Sequence, residues 1–385
     1  MNYLAINLRD KLGKFTDQWP PKIRSEINNY NFKLAKIQGD LAKIPDEHFR
    51  SRAMKITRIR YCSRAFVFLI SCCIPILFGS SATSAHPRSV RWVQLSPVNS
   101  PSPRSSFAMT YDGDSGKVVV FGGDSGTQYL NDTWTFDGFT WTHVATRTAP
   151  PPRANAQMTY DSVSHKVVLF GGFDGVNFLG DTWLWDGTAL EWTQAMPVHQ
   201  PTAVSGPMLF PDPNGRADLF GGFDGQFYHD SMWQWNGSDW TQLFPPTVPY
   251  ARSVAAVATN RSTGEVVMFG GLADFNPINT WTYDGTTWTL QSPLMQPLWV
   301  YAGSAVFDPG MHAVVLFGGG SSGIDQNTTW IWGRDGANWT HLPIGESPPA
   351  REAAGMAYDL ALRRAILFGG QDNNGYFNDT WELIP

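Results

Sequence analysis

The chain has 385 residues, a formal net charge of −5, 17 Trp and 37 Gly. Its charge is uneven: residues 1–64 hold 14 Lys and Arg against 6 Asp and Glu, whereas residues 86–385 hold 14 against 27, with Lys117 and Lys166 the only lysines. An acidic, lysine-poor domain repels phosphate backbones, which argues against nucleic acid as a partner. All three cysteines (Cys62, Cys72, Cys73) precede residue 86, so the remainder has no disulfide, no thiolate metal ligand and no cysteine nucleophile.

In chain order, residues 1–53 come first, amphipathic, mixed in charge and unlike the rest of the chain. Within them, residues 5–39 resemble the opening of small cupin-fold proteins. A metal-binding His-x-His comes shortly after in that family, but here the chain continues DLAKIPDEHFR with His48 alone. A cupin barrel with its metal site is therefore not expected. We read 1–53 as an upstream extension, from a misplaced start codon or a fusion remnant, with Met54 the working start.

From Met54 a basic stretch leads into the apolar run Ala65–Gly79 and then the small residues SSATSA. These are the three parts of a secretory signal peptide, residues 54–85, with cleavage expected after Ala85. The run is shorter than the roughly 20 residues of a membrane span; an uncleaved leader would act as an anchor. Leu69-Ile70-Ser71-Cys72 resembles a lipoprotein acylation box, but the apolar run continues past Cys72, which argues against a cut there. Residues 86–385 are thus expected to be secreted or periplasmic.

That remainder repeats. Phe-Gly-Gly recurs at Phe121, Phe170, Phe220, Phe269, Phe317 and Phe368, at intervals of 49, 50, 49, 48 and 51 residues. A period near 50 is one propeller blade. Each repeat predicts four strands. The innermost reads Arg-x-x-x-x-Met-x-Tyr-Asp, as in Arg104–Asp112. The second is an apolar run into Gly-Gly, which suits a strand covered on both faces. The third carries Trp134, Trp183, Trp233, Trp281, Trp330 or Trp381 and ends in Asp-Gly or Asn-Gly, the preferred two-residue hairpin turns. The fourth starts at Trp141, Trp192, Trp240, Trp288 or Trp339, and both sets of tryptophans should form the packing between blades. The last repeat lacks a fourth segment, but Trp92 lies 29 residues before Phe121, in the same register as the others. Residues 91–95 should complete the sixth blade and remove the free sheet edges.

These features, an apolar strand into Gly-Gly, then Asp-x-Trp, a turn and a Trp, resemble the kelch-repeat family over residues 88–385. The resemblance implies an all-β, six-bladed propeller with loops on two faces of a central channel, and names no ligand. Copper radical oxidases of the galactose-oxidase type share the fold, but their cofactor needs a cysteine cross-linked to tyrosine, which residues 86–385 cannot supply. No cofactor and no metal are expected: the histidines lack ligand spacing, and Phe173-Asp174-Gly175 and Phe223-Asp224-Gly225 lack the acidic ladder of a calcium loop.

Candidate ligand-face residues are those that differ between copies. Arg104, Arg153, Arg252 and Arg351 each lie 17 residues before their Phe, and the same offset gives Ala203 and Val300 elsewhere. They could ring one channel mouth as an anion seat, or bond loop carbonyls of the adjoining blade. Tyr129, Phe178, Tyr228 and Tyr376 precede the third-strand Trp by five residues and could form a sugar-stacking platform, or pack on their own blade. Glu352 is the only one of five glutamates in residues 86–385 at an inner-strand start. Bacterial kelch propellers that epimerise or mutarotate sialic acid use acid/base chemistry in such a cleft, so Glu352 is the candidate base if the chain is a sugar-modifying enzyme. The favoured reading is a non-catalytic binding module for a protein or an extracellular glycan.

Overall fold

In the computed structural model, the described residues are 90–274, 277–298, 300–321, 323–333 and 336–385, all within the compact unit Ala85–Pro385. The upstream extension and the leader lie outside them. Six four-stranded antiparallel sheets follow one another around a central channel. Blade 1 comprises Ala108–Asp112, Lys117–Asp124, Tyr129–Phe136 and Trp141–Val144; blade 2 comprises Gln157–Asp161, Lys166–Phe170, Thr182–Asp186 and Glu191–Gln194. Blade 3 is Met208–Pro211, Ala217–Phe220, Met232–Trp235 and Trp240–Leu243, and blade 4 is Ala256–Asn260, Glu265–Phe269, Thr280–Tyr283 and Trp288–Leu290. Ser304–Asp308, Ala313–Phe317, Thr329–Gly333 and Gly336–Leu342 form blade 5. Blade 6 has Gly355–Asp359, Arg364–Phe368 and Thr380–Ile384 from the C-terminal end, and its fourth strand is Arg91–Leu95, paired Arg91 to Ile384 and Leu95 to Thr380.

One interlocking contact, repeated around the ring, explains why Phe and Trp recur at fixed spacing. The first Trp of each fourth strand is at most 2% exposed and meets the Phe-Gly-Gly phenylalanine of the preceding blade, with ring centroids 4.9–5.7 Å apart. Its indole N–H then donates to the threonine directly before that blade's third-strand Trp: Trp141 to Thr380, Trp192 to Thr133, Trp240 to Thr182 and Trp339 to Thr280, at 2.8–3.0 Å. Blade 3 has Met232 in the threonine's place, and Trp288 donates to its sulfur. The third-strand tryptophans contribute less than expected, since Trp134, Trp233, Trp330 and Trp381 are only half-buried.

Trp92 makes the same contact across the closure, meeting Phe317 edge to face at 5.2 Å and donating to Thr329 Oγ1 at 3.0 Å. Trp92→Phe keeps the ring but loses the hydrogen bond and leaves space behind it, which should cost about 2 kcal/mol. Urea unfolding of the variant, compared with Phe139→Ser on an exposed turn, checks this; equal midpoints for Trp92→Phe and wild type would mean that the strand does not hold the ring.

Two local expectations change. In blades 1 to 4 the third-to-fourth turns are four residues long, not two, whereas in blade 5 Gly333 pairs with Gly336. In blade 1 Phe136 pairs with Trp141, and Asp137 Oδ1 accepts the N–H groups of Phe139 and Thr140. The Asp-Gly signal therefore reports an Asp-capped turn followed by a glycine at positive φ (Gly138, 93°), rather than a tight hairpin. The equivalent Asp335 lies outside the described residues. Second, blade 3 is one residue short between its first two strands, so the counterpart of the arginines is Val204, not Ala203. Gly172 N–H donates to Val204 O just as Gly123 N–H donates to Arg153 O.

Candidate functional site

At one end of the channel the chain enters each inner strand through a residue in the left-handed region: Ser106, Asn155, Gly206, Val254, Ala302 and Ala353, with φ between 45° and 61°. Each donates its backbone N–H to the carbonyl of the corresponding residue one blade back, at 2.7–2.9 Å, and Ser106 closes the circle on Ala353. A continuous belt of six hydrogen bonds thus cinches the mouth. Five of the six are not glycine, so the belt holds them against the steric cost of that conformation.

Around the belt sits a second circle, where the residue before each belt position bridges the loop after Gly-Gly: Ser105 with Asp124, Ala154 with Phe173, Ser205 with Phe223, Ser253 with Leu272, Tyr301 with Gly320, and Glu352 with Gln371. The repeat framework is uniform, but this circle is not. Blades 1 to 3 present a band of half-buried rings in edge and tilted contact: Tyr129 to Phe173 to Phe178 to Phe223 to Tyr228, with centroids 4.8–6.1 Å apart. Tyr129 and Phe178 each cross to the next blade, where a Cβ on Gly175 or Gly225 would strike them, and Tyr376 does the same at Gly126. The four candidate aromatics therefore do converge on one mouth, and three of them join neighbouring blades rather than packing only on their own.

Blades 5, 6 and 1 present polar groups instead. Ser105 Oγ donates to Gln371 Oε1 at 2.7 Å, and Gln371 Nε2 donates to Glu352 Oε1 at 3.1 Å. A Cβ on Gly320 would collide with Glu352 Oε2 and with the Tyr301 ring, so only glycine lets these two groups meet there. Burial, and then the Glu352 charge, raises the Tyr301 phenol. Asp124, Asp174, Asp224, Asp325 and Asp372 lie in the same loops, which contain no lysine or arginine. Backbone N–H donors from Phe227 and Gln226 hold Asp224 down at about 2. Asp325 is raised by burial and by the neighbouring charge of Asp372.

The arginines are not part of this mouth. Arg104, Arg153, Arg252 and Arg351 are at most 1% exposed, and each Nη1 donates to the first glycine carbonyl of its own Gly-Gly pair. Arg104, Arg153 and Arg351 also fork onto Asp132, Asp181 and Asp379, the Asp of Asp-x-Trp 28 residues downstream, at 2.6–2.8 Å. The second carboxylate oxygen additionally accepts the indole N–H of Trp134, Trp183 or Trp381. An anion seat is thus replaced by internal clamps that tie the inner-strand entry to the third strand. The sequence holds the signal for this: where Val204 and Val300 replace arginine, Ser231 and Thr328 replace the aspartate. Glu352 accordingly has no arginine for company, since Arg351 is turned into its blade, with its guanidinium 4.0 Å from the Phe377 ring centroid.

Among the described residues no three His, Cys, Asp or Glu side chains gather as metal ligands. The KLHDC2/KLHL20/DRC7 kelch-repeats domain matches residues 81–271. Among solved structures the chain is similar to YjhT, with 17% identity, a TM-score of 0.59, and coverage of 74% of this chain and 95% of that one; at that identity the likeness speaks to fold alone. No curated protein matches. Six Gly-Gly-ended strands in register, each locked by a Trp from the next blade, agree with that match, and the chain belongs to the kelch-repeat β-propellers.

Proposed function

We propose that this chain is an exported, non-catalytic binding propeller that takes a protein or an extracellular glycan on the mouth framed by the loops after Gly-Gly. The supporting observation is that the six blades share their packing but diverge here, into an aromatic side on blades 1 to 3 and a polar side with Tyr301, Glu352 and Gln371 on blades 5 and 6, with loop aspartates on both. Aromatic faces stack on sugars and anchor protein hot spots, while carboxylates accept hydroxyl or cationic donors. The loop tips add Val176 and Phe227, 82% and 60% exposed. Fold similarity supplies no ligand, so the reading rests on this asymmetry.

A glycan array and a surface pull-down should each be run with wild type, with the Val176→Ser/Phe227→Ser pair and with Arg363→Glu on the opposite turns. The loop-tip pair should weaken capture at least about tenfold, as loss of an exposed aromatic anchor does, without changing the melting temperature, while Arg363→Glu leaves capture intact. No saturable ligand in either assay, or equal loss in both variants, overturns the reading.

A second reading, a sugar-modifying enzyme, is favoured by one feature: Glu352 and Tyr301 stand together at the mouth as a base and an acid. Sialic-acid mutarotation measured with wild type and Glu352→Gln decides it. An inactive wild type ends the enzyme reading.

A further inference from the structure

The channel itself, away from the belt, is a second place where the blades differ. Its lumen holds a cavity of about 200 Å³, lined in part by Met109, Met158, Leu209 and Met356. At the end opposite the belt, each inner strand turns into the second strand, and the residue after its terminal Asp or Asn opens that turn. Five of these are uncharged: Gly113, Ser162, Pro213, Pro309 and Leu360. The sixth, in blade 4, is Arg261, which lines the cavity.

Arg261 differs from the buried arginines in its surroundings. It carries no hydrogen bond or ion pair among the described residues, and its surface is open to solvent. The surrounding walls nevertheless lower its guanidinium from the ordinary arginine value by desolvation. A group both solvated and closely walled is what a side chain inside a narrow lumen should be. Low-dielectric walls focus its field, so an anion entering there gains more than it would at an open surface. No Asp or Glu lines this cavity; Asp212, with Tyr160, shares an adjoining pocket with Arg261 and makes no ion pair with it. Tyr111 and Tyr358 line the same cavity and bring phenol groups that can donate to an anion.

We propose that the lumen binds a small amphipathic carboxylate, with its tail among Met109, Met158, Leu209 and Met356 and its carboxylate on Arg261. Methionines suit an irregular apolar tail because they repack readily, and a planar guanidinium takes a carboxylate in two parallel hydrogen bonds. Ligands branched or bulky enough to exceed the cavity are excluded. This site is separate from the loop-framed mouth and does not depend on the function proposed there.

Calorimetric titration with hexanoate and with 1-hexanol tests it, using wild type, Arg261→Gln and Met356→Trp. Hexanoate should bind saturably and at least about tenfold more tightly than hexanol, the ratio expected for one charge-assisted bidentate contact. Arg261→Gln should erase that preference, and Met356→Trp should abolish binding of both by filling the lumen. Arg261 is an exposed turn residue, so its variant should melt as wild type does; a circular-dichroism melt confirms that a lost titration is not lost fold. Absence of saturable hexanoate binding to wild type overturns the proposal. So does equal binding of acid and alcohol, or undiminished binding to Arg261→Gln.

Discussion

Asp218→Val should stabilise the propeller strongly at alkaline pH and little at acid pH. Asp218 occupies the middle of blade 3's second strand, where the other blades have Val119, Val168, Val267, Val315 and Ile366. It is fully buried, Gln234 Nε2 donates to its Oδ1 at 2.9 Å, and its Oδ2 has no partner. Burial, reinforced by the charges of Asp212 and Asp161, pushes its carboxyl up to about 8 despite the Gln234 bond. The folded state therefore holds a proton that the unfolded state releases near pH 4. Wild-type stability falls as pH rises from about 4 to about 8 and is level above that. Valine removes this dependence. The gain should approach on the order of 5 kcal/mol at pH 9, since each pH unit between those two values is worth about 1.4 kcal/mol. Denaturant midpoints at pH 4.5, 7 and 9 check it. A gain independent of pH would show that Asp218 does not carry the proton, and Asp218→Asn, neutral and of the same shape, should flatten the profile in the same way.

Asn279→Asp should stabilise by about 3 kcal/mol, the lower end of what breaking a buried ion pair costs. In blades 1, 2 and 6 one carboxylate oxygen serves both an arginine Nη2 and a tryptophan N–H. Blade 4 keeps the arginine and the tryptophan but has Asn279 for the aspartate. Asn279 Oδ1 accepts from Arg252 Nη1 at 2.9 Å. The other end of the amide is a donor, and the buried Arg252 Nη2 and Trp281 Nε1 are both left without acceptors. Burial without a counter-charge lowers Arg252 to about 10. Exchanging one NH₂ for an oxygen supplies two hydrogen bonds and the missing charge. Asp181→Asn, which makes blade 2 like blade 4, should lose a comparable amount. Urea unfolding of both variants tests the pair, and an unchanged midpoint for Asn279→Asp would remove the clamp as an explanation of the repeated arginine.

Both effects arise where one blade departs from its neighbours, and the same differences show where the sequence was readable. The Phe-to-Trp spacing could be read directly, because each blade repeats the same contact with the next and the register of Trp92 continues it into Arg91–Leu95. The clamp was also written in the chain, as an Arg with an Asp 28 residues later in blades 1, 2 and 6, as the loss of both in blades 3 and 5, and as Arg252 with Asn279 in blade 4. Arginine taken alone suggests an exposed ring, because a charge without its partner reads as solvent-facing. The off-by-one assignment of Ala203 has an equally local cause, a turn in blade 3 shortened to Pro213-Asn214-Gly215, which counting from Phe220 could not detect.

The amino-acid sequence by itself determined the repeat, the number of blades and the strand that completes the sixth, because those follow from periodic apolar and aromatic positions. It also supplied the cysteine exclusion, which needs no geometry. Only the tertiary structure decided which unlike residues meet. Tyr301, Glu352 and Gln371 come from two blades, Asp161 and Asp218 from two others, and the belt from six backbone groups whose left-handed φ leaves no mark on Ser106, Val254 or Ala353. Such meetings depend on closing the ring, and closure brings together residues about 50 positions apart that no local pattern relates.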